Sequence, residues 1–226
     1  MTKVPVITID GPSGAGKGTI AYQLAAYLGW QLLDSGALYR VVAHACQLDG
    51  VALDAEPDVA RLAETLAVEF VTQSGGQLQI LYRGVDISSS IRTELAGAGA
   101  SKVAAIPSVR AALLQRQRAF LMPPGLVADG RDMGTTVFPN APLKIFLTAS
   151  VEERAERRYK QLIHKGESVS LATLFEDIQA RDERDSSRTV SPLIAADDAV
   201  LIDSTDTPIQ TVFEKVLAEA SKRHLL

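Results

Sequence analysis

The residues with the clearest chemistry form one short run, Gly11-Pro12-Ser13-Gly14-Ala15-Gly16-Lys17-Gly18-Thr19. Glycines let a backbone curl until successive N–H groups point into one concavity, and the positive end of a helix starting there adds to the attraction. Such a loop holds phosphate, and Lys17 would reach the outer phosphates of a nucleoside triphosphate as a point charge. The run follows an apolar strand pattern, Val4 to Asp10, and opens a helical one, which is the context a phosphate-binding loop requires. The strict pattern has Ser or Thr directly after the lysine, whereas here Gly18 precedes Thr19. The usual metal-contacting hydroxyl is therefore displaced, and no metal ligand is assigned from the sequence.

Arginines are the other chemistry-bearing group. Arg181, Arg184 and Arg188 recur at spacings of three and four, and Arg154, Arg157 and Arg158 repeat those spacings on the preceding helical stretch. Each set lines one helix face. On spacing alone, charged faces of this kind read as solvated surface. His44, His164 and His224 sit in no catalytic motif, and Cys46 reads as a small buried residue.

The elements that must position these groups alternate. Val4–Asp10, Gly125–Asp129 and Leu143–Leu147 read as buried strands, Trp30–Leu33 as a short second strand and Val200–Ile202 as the last, and helices are expected from Lys17 to Leu28, Gly36 to Leu48 and Leu171 to Asp185. Gly29 sits where a helix end wants a left-handed residue. Pro57 is placed as a first helical residue of a stretch reaching Ala67, and two more helices flank Ile106, the second opened by Pro107. Ser150 to Glu153 is a capping-box start for a helix reaching Lys165, and Thr207-Pro208 caps and opens the last helix. Between the early helices, Val68–Thr72, Gln77–Tyr82 and Val85–Ile87 read as a meander of short strands broken at Ser74-Gly75-Gly76 and Arg83-Gly84. About five apolar strands separated by helices predict a parallel sheet covered on both faces.

Composition sets outer limits. The 226 residues, 46% of them hydrophobic, suit one α/β domain with an elaboration. No run approaches the roughly 18–20 apolar residues of a membrane span, and Val4–Ile9 is too short for a signal peptide. One cysteine excludes an internal disulfide framework and a Cys-based zinc cage, which points to the reducing cytoplasm. A net charge of −4 argues against a nucleic-acid polymer as partner.

The Gly16-Lys17-Gly18-Thr19 ending resembles the nucleoside monophosphate kinases. Further segments sharpen this to bacterial cytidylate kinases: Leu33 to Arg40, Ser101 with Val103-Ala104-Ala105, Arg110 with Gln115 to Phe120, Ala128 to Thr135, and Arg181 to Asp185 with Arg188. They stand in the family's order from Gly11 to Arg188, and the meander lies where that family carries an acceptor-side insert. The resemblance implies a single P-loop kinase domain over 1–226, three-layered around a five-stranded parallel sheet. A small antiparallel β insert would cover about 62–95, and a helical lid about 155–185, its tip around Gly166 to Ser170.

The same resemblance implies roles. ATP, as Mg-ATP, would be the donor, held by Gly11 to Thr19 with Arg157 and Arg184. CMP or dCMP would be the acceptor, with Ser35, Arg40, Ser101, Arg110, Arg131, Asp132, Asp185 and Arg188 around it. Cytosine presents an amino donor beside ring acceptors where uracil presents a carbonyl, which suits Asp132 and Arg110 assisted by Ser101. Arg40, Arg131 and Arg188 would clamp the acceptor's phosphate, and Asp185 would lie near the sugar hydroxyls. Lys17, Arg131, Arg158, Arg181 and Arg188 would be the catalytic cations, Arg157, Arg158, Arg181 and Arg184 flanking the lid. Thr19 and Asp129 are the possible neighbours of Mg²⁺. The family also implies a monomer.

Two rival readings meet specific residues. A GTPase needs Asn-Lys-x-Asp, yet the only asparagine, Asn140, precedes Ala141. Gln73 to Gln77 imitates part of an ABC-ATPase signature but falls between strand patterns, where a hairpin turn accounts for it. A kinase for UMP, AMP or a small metabolite, or a nucleotide-binding module without turnover, are the alternatives that assay separates.

Overall fold

The computed structural model describes residues 4–72 and 78–226. β1 (Val6–Asp10) is buried along its whole length and runs through the glycine-rich loop into α1 (Lys17–Leu28), after which β2 spans Gln31–Asp34. Next come α2 (Ser35–Leu48), α3 (Glu56–Glu64) and the short strands β3 (Val68–Thr72), β4 (Leu78–Tyr82) and β5 (Val85–Asp86). A 3₁₀ turn at Ser90–Arg92 precedes α4 (Glu94–Val103) and α5 (Pro107–Arg118). β6 (Leu126–Asp129), a single π turn (Met133–Val137) and β7 (Leu143–Thr148) follow. The chain then runs through α6 (Val151–His164), α7 (Leu171–Ser186), β8 (Val200–Asp203) and α8 (Ile209–Lys222).

Two compact units result. The first comprises the residues up to Asp34 together with Gln117–Leu226. It contains the parallel sheet, in the order β2-β6-β1-β7-β8. Parallel strands covered on both faces must be apolar throughout, and Ile7, Ile9, Leu143, Ile145 and Leu147 are almost wholly buried with Ile20 and Leu24 of α1 and Val212 and Val216 of α8. The register sets Ile9 beside Asp129 and Ile145, and Asp34 beside Asp129. The carboxyl ends of β1, β2 and β6 therefore carry Asp10, Asp34 and Asp129 along one edge. From β1 the chain crosses to β2 on one side, and from β6 it crosses to β7 on the other, so the gap between β1 and β6 is the switch crevice where open α/β sheets bind ligands.

The second unit, Ser35–Arg116, holds the antiparallel sheet β3-β4-β5. α2 and α4 approach closely, since a Cβ on Gly99 would stand 3.0 Å from Ala43 Cβ. Arg83, at the β4–β5 turn, donates to both carboxylate oxygens of Asp49 after α2, at 2.8 and 2.7 Å.

Several boundaries differ from expectation. α3 starts one residue before Pro57 and stops at Glu64, because Val68 must be extended to pair with Tyr82. Only half of the capping box at α6 forms. Ser150 Oγ accepts from Glu153 N, but Ser150 N–H donates to Thr205 Oγ1 and the Glu153 carboxylate turns to Arg157. Pro208, with ψ at 141°, is the N-cap of α8 rather than its first residue, and the Thr207 hydroxyl donates to the Thr205 carbonyl instead of capping. The Ser74-Gly75-Gly76 turn and the wider Gln73–Gln77 run lie outside the described residues.

Candidate active site

The loop after β1 is shaped by contacts that a side chain would block. Gly11 has φ 143°, and a Cβ there would come within 2.0 Å of the Leu147 carbonyl oxygen. Gly16, at φ 95°, precedes α1 without a capping side chain, so the helix N-terminus keeps its N–H groups for an anion. Arg154 of α6 braces the loop from beneath. It is 3% exposed, donates to the carbonyls of Ser13 (3.1 Å) and Ala149 (2.9 Å), and grips the Asp182 carboxylate of α7 with both terminal nitrogens, at 3.1 and 2.6 Å. The helical spacing of Arg154 had suggested solvated surface; the structure buries it.

Lys17 is likewise buried, its Nζ donating to the Pro12 carbonyl at 2.7 Å. Burial lowers its pKa to about 7. Arg131 and Arg181 push in the same direction, against Asp129 and Asp10. Burial raises Asp129 to about 6, with Lys17 opposing, and Asp10 to about 7, with the Gly134 and Met133 amides opposing. A cation and two carboxyls thus meet in a poorly hydrated place where an arriving polyphosphate would favour the ammonium form of Lys17.

Asp185 of α7 gathers two of the expected arginines. It is 1% exposed; one oxygen accepts from Arg131 Nε at 2.9 Å and the other pairs with Arg188. Burial pushes the Asp185 carboxyl up, but Arg131, Arg188 and Arg181 outweigh it and hold it below the ordinary carboxylate range. Both of its oxygens therefore serve guanidinium groups. Arg131 also donates to the Gly130 carbonyl, so its orientation is set from two sides.

A cavity of about 750 Å³ opens beside the loop, lined by Gly16, Lys17, Thr19, Arg157, Arg158 and Pro208 among others. Arg157 is fixed by Glu153 at 2.7 Å and by the Ser204 carbonyl at 2.6 Å. Arg158 donates to Gln161 Oε1 at 3.2 Å. Ser204, not singled out in the sequence, is buried after β8 and donates to the carbonyls of Ala15 (3.1 Å) and Thr148 (2.9 Å). Arg181 and Arg184 sit on α7, and neither is among the residues that line this cavity.

Asp132, 2% exposed, is the residue from which the π turn starts, and its side chain does not cap that turn. Asp10 is what holds the turn: its two oxygens accept from Met133 N and Gly134 N, each at 2.8 Å. Asp10 reads in the sequence as a strand end and nothing more. In the second unit, Ser35 is buried at the start of α2 and Ser101 is buried in α4. Arg40 donates to the Ile91 carbonyl at 3.0 Å, and Arg110, 7% exposed, donates to the Ala104 carbonyl at 3.2 Å with its guanidinium 5.7 Å from the centre of the Tyr39 ring.

A parallel sheet with a glycine-rich loop at its switch point, a buried lysine behind that loop and carboxylate-held arginines beside it defines a P-loop kinase. The chain belongs to the cytidylate kinase family, whose sequence model matches residues 7–222. It is 60% identical over 222 residues to a cytidylate kinase of Pseudomonas fluorescens, covering 98% of this chain and 97% of that one. It is 58% identical over 226 residues to one of Pseudomonas putida strain W619, covering 100% and 99%, and 59% identical over 221 residues to one of Pseudomonas aeruginosa, covering 97% and 96%. Among the described residues no helix is long and apolar enough to cross a membrane.

Proposed function

We propose that this chain transfers the γ-phosphoryl group of ATP to the phosphate of CMP or dCMP, releasing ADP and CDP or dCDP. The observation that carries this reading is the family match over residues 7–222, and the cations gathered beside the phosphate-binding loop support it. A phosphate oxygen of the acceptor attacks the γ-phosphorus while the bond to the β,γ-bridging oxygen breaks. That oxygen is already ionised at neutral pH, so no general base is needed; alignment and neutralisation of a loose transition state do the work. Lys17 and the loop amides hold the donor's outer phosphates. Arg131 and Arg188 neutralise the transferring and accepting groups, preset by their shared carboxylate. Arg181 and Arg158 complete the charge, and movement of α6 and α7 about the 165–170 connection excludes water. Arg157 and Arg184 serve the donor nucleotide, while Ser35 and Arg40 serve the acceptor.

Mg²⁺ suits the donors present. Among the described residues no group of three or more His, Cys, Asp or Glu side chains could hold a metal alone, and Mg²⁺ typically takes one or two carboxylates, waters and substrate phosphates. Asp129 with Thr19 would hold it, and it would supply charge neutralisation at the phosphates. For the base, Asp132 accepts from the cytosine amino group and Arg110, assisted by Ser101, donates to the ring acceptors. A pocket that leaves such groups unpaired discriminates by up to about 10⁴–10⁵. The test is ADP release from Mg-ATP with CMP, dCMP, UMP, AMP, dTMP or shikimate offered singly. Preference for CMP and dCMP is expected, and activity with another acceptor alone would overturn the base assignment.

A further inference from the structure

We infer that Asp10 and Arg118 are positioning residues for acceptor selection, acting through the π turn that begins at Asp132. The inference rests on the reading of Asp132 as the residue that recognises the cytosine amino group. Its own basis is how that turn is held.

A π turn is uncommon, and five residues make a single turn with few internal hydrogen bonds. One isolated turn of helix is not self-supporting, because fixing its backbone costs more than its first bonds return. Within the turn, Thr136 N and Val137 N donate to the Asp132 carbonyl, and Phe138 N donates to the Met133 carbonyl. The groups left over at its two ends are met from outside. At the start, the amides of Met133 and Gly134 each donate to a different oxygen of Asp10, both at 2.8 Å. At the finish, Arg118 donates through Nε to the Val137 carbonyl at 3.1 Å and through Nη2 to the Thr136 carbonyl at 3.3 Å.

A carboxylate thus closes the amide end and a guanidinium the carbonyl end, the sense that a helical dipole favours. Asp10 is the last residue of β1, whose backbone is paired to β6 and β7 on both sides, so the carboxylate is anchored to the central strand of the sheet. The turn also lies directly on the sheet. A Cβ at Gly134 would stand 2.9 Å from Thr8 Oγ1, and one at Gly130 would stand 2.7 Å from Met133 Cγ. Asp132 is the hinge residue of this assembly, with φ −142° and ψ 24°, between the Gly130-Arg131 bend and the turn. Asp132 directly precedes the amides that Asp10 holds, so Asp10 fixes the backbone from which its carboxylate projects.

Asp10 meets this task with both of its oxygens. Two N–H groups need two acceptor oxygens, and an asparagine would offer one oxygen and set its NH₂ against the other amide. Arg118 is exposed at the end of α5, so its contribution can be removed without opening the core.

The experiment measures kcat and KM for CMP and for UMP, with KM for ATP, in Asp10→Asn, Arg118→Ala, Arg118→Lys and Asp132→Ala. Displacing a recognition group by a fraction of an ångström to one ångström costs roughly tenfold to 100-fold. Asp10→Asn and Arg118→Ala are therefore expected to lower the ratio of kcat/KM for CMP over UMP by about that factor, mainly through KM for CMP, with KM for ATP within about twofold in Arg118→Ala. Arg118→Lys, able to reach one carbonyl, should restore part of the ratio. Should Asp10→Asn fail to fold, Arg118→Ala and its lysine rescue decide by themselves. An unchanged ratio with kcat reduced equally for both acceptors would overturn the inference, as would an effect confined to KM for ATP. If Asp132→Ala leaves the ratio unchanged, the reading of Asp132 fails and takes the inference with it. If Asp132→Ala collapses the ratio while the Asp10 and Arg118 variants preserve it, only the inference fails.

Discussion

Lys17 and Asp185 occupy opposite electrostatic positions, and each leads to a pH-dependent consequence. The folded pKa of Lys17, about 7, lies below the unfolded value near 10.4. The unfolded chain therefore binds the extra proton between those values, and stability rises with pH across that window on account of this residue. Urea unfolding at pH 7 and pH 9.5 should show that gain in the native chain and a flatter profile in Lys17→Met. The same variant should lose roughly 10³-fold or more in turnover, since nothing else in the loop replaces a cation at the transferring phosphate. Near-normal ADP release would refute its role. Asp185 has the opposite sign, because its folded pKa is depressed. Its contribution is complete above the unfolded value, near 3.9, and is lost as pH falls through the folded one. Asp185→Asn should lose about 3–5 kcal/mol at neutral pH, the cost of stranding buried guanidinium groups, and its acid unfolding limb should be shallower than that of the native chain.

Elements that carry a repeating signal were legible in the sequence; elements defined by a partner were not. α1 runs from Lys17 to Leu28 with Gly29 in the left-handed conformation at its end, as the apolar period and the glycine predict. The central strands β1, β6 and β7 were readable because parallel strands covered on both faces are continuous apolar runs, whereas the edge strands β2 and β8 bury only Leu33 and Ile202. The π turn at Met133–Val137 has no period to detect in five residues, and what stabilises it, Asp10, is more than 120 residues away in the chain. Arg154 misled for a related reason. Its spacing with Arg157 and Arg158 describes a helix face, but which neighbour that face meets depends on Asp182 and the Ser13 carbonyl, brought together only by folding. Removing that brace should be felt at the loop. Arg154→Ala is expected to raise KM for ATP by about tenfold or more while KM for CMP changes little, as for any loss of a group that orients a binding loop. Equal changes in both constants would argue against a role specific to the donor side.

Across the whole molecule, charge is distributed against its net value. The chain carries −4 overall, yet Lys17, Arg131, Arg181 and Arg188 lie close enough to perturb one another or the same carboxylate, Asp185. A cluster of cations can stay folded there because Asp185, Asp129 and Asp10 are interleaved with it, at the carboxyl edge of the sheet where α/β folds bind their ligands. The small antiparallel sheet and its supporting helices form a separate compact unit, Ser35–Arg116, which carries Ser35, Arg40, Ser101 and Arg110. Family motifs in the sequence propose which residues belong to each set, while their hydrogen-bond partners required the fold. The route of one phosphoryl group can be followed with a label. ATP labelled in its γ-phosphate is mixed with the full chain, Mg²⁺ and CMP, and the products are separated. Label recovered in CDP in one-to-one proportion with ADP is the predicted result. Label recovered as free phosphate, or ATP left intact while CMP is present, would contradict it.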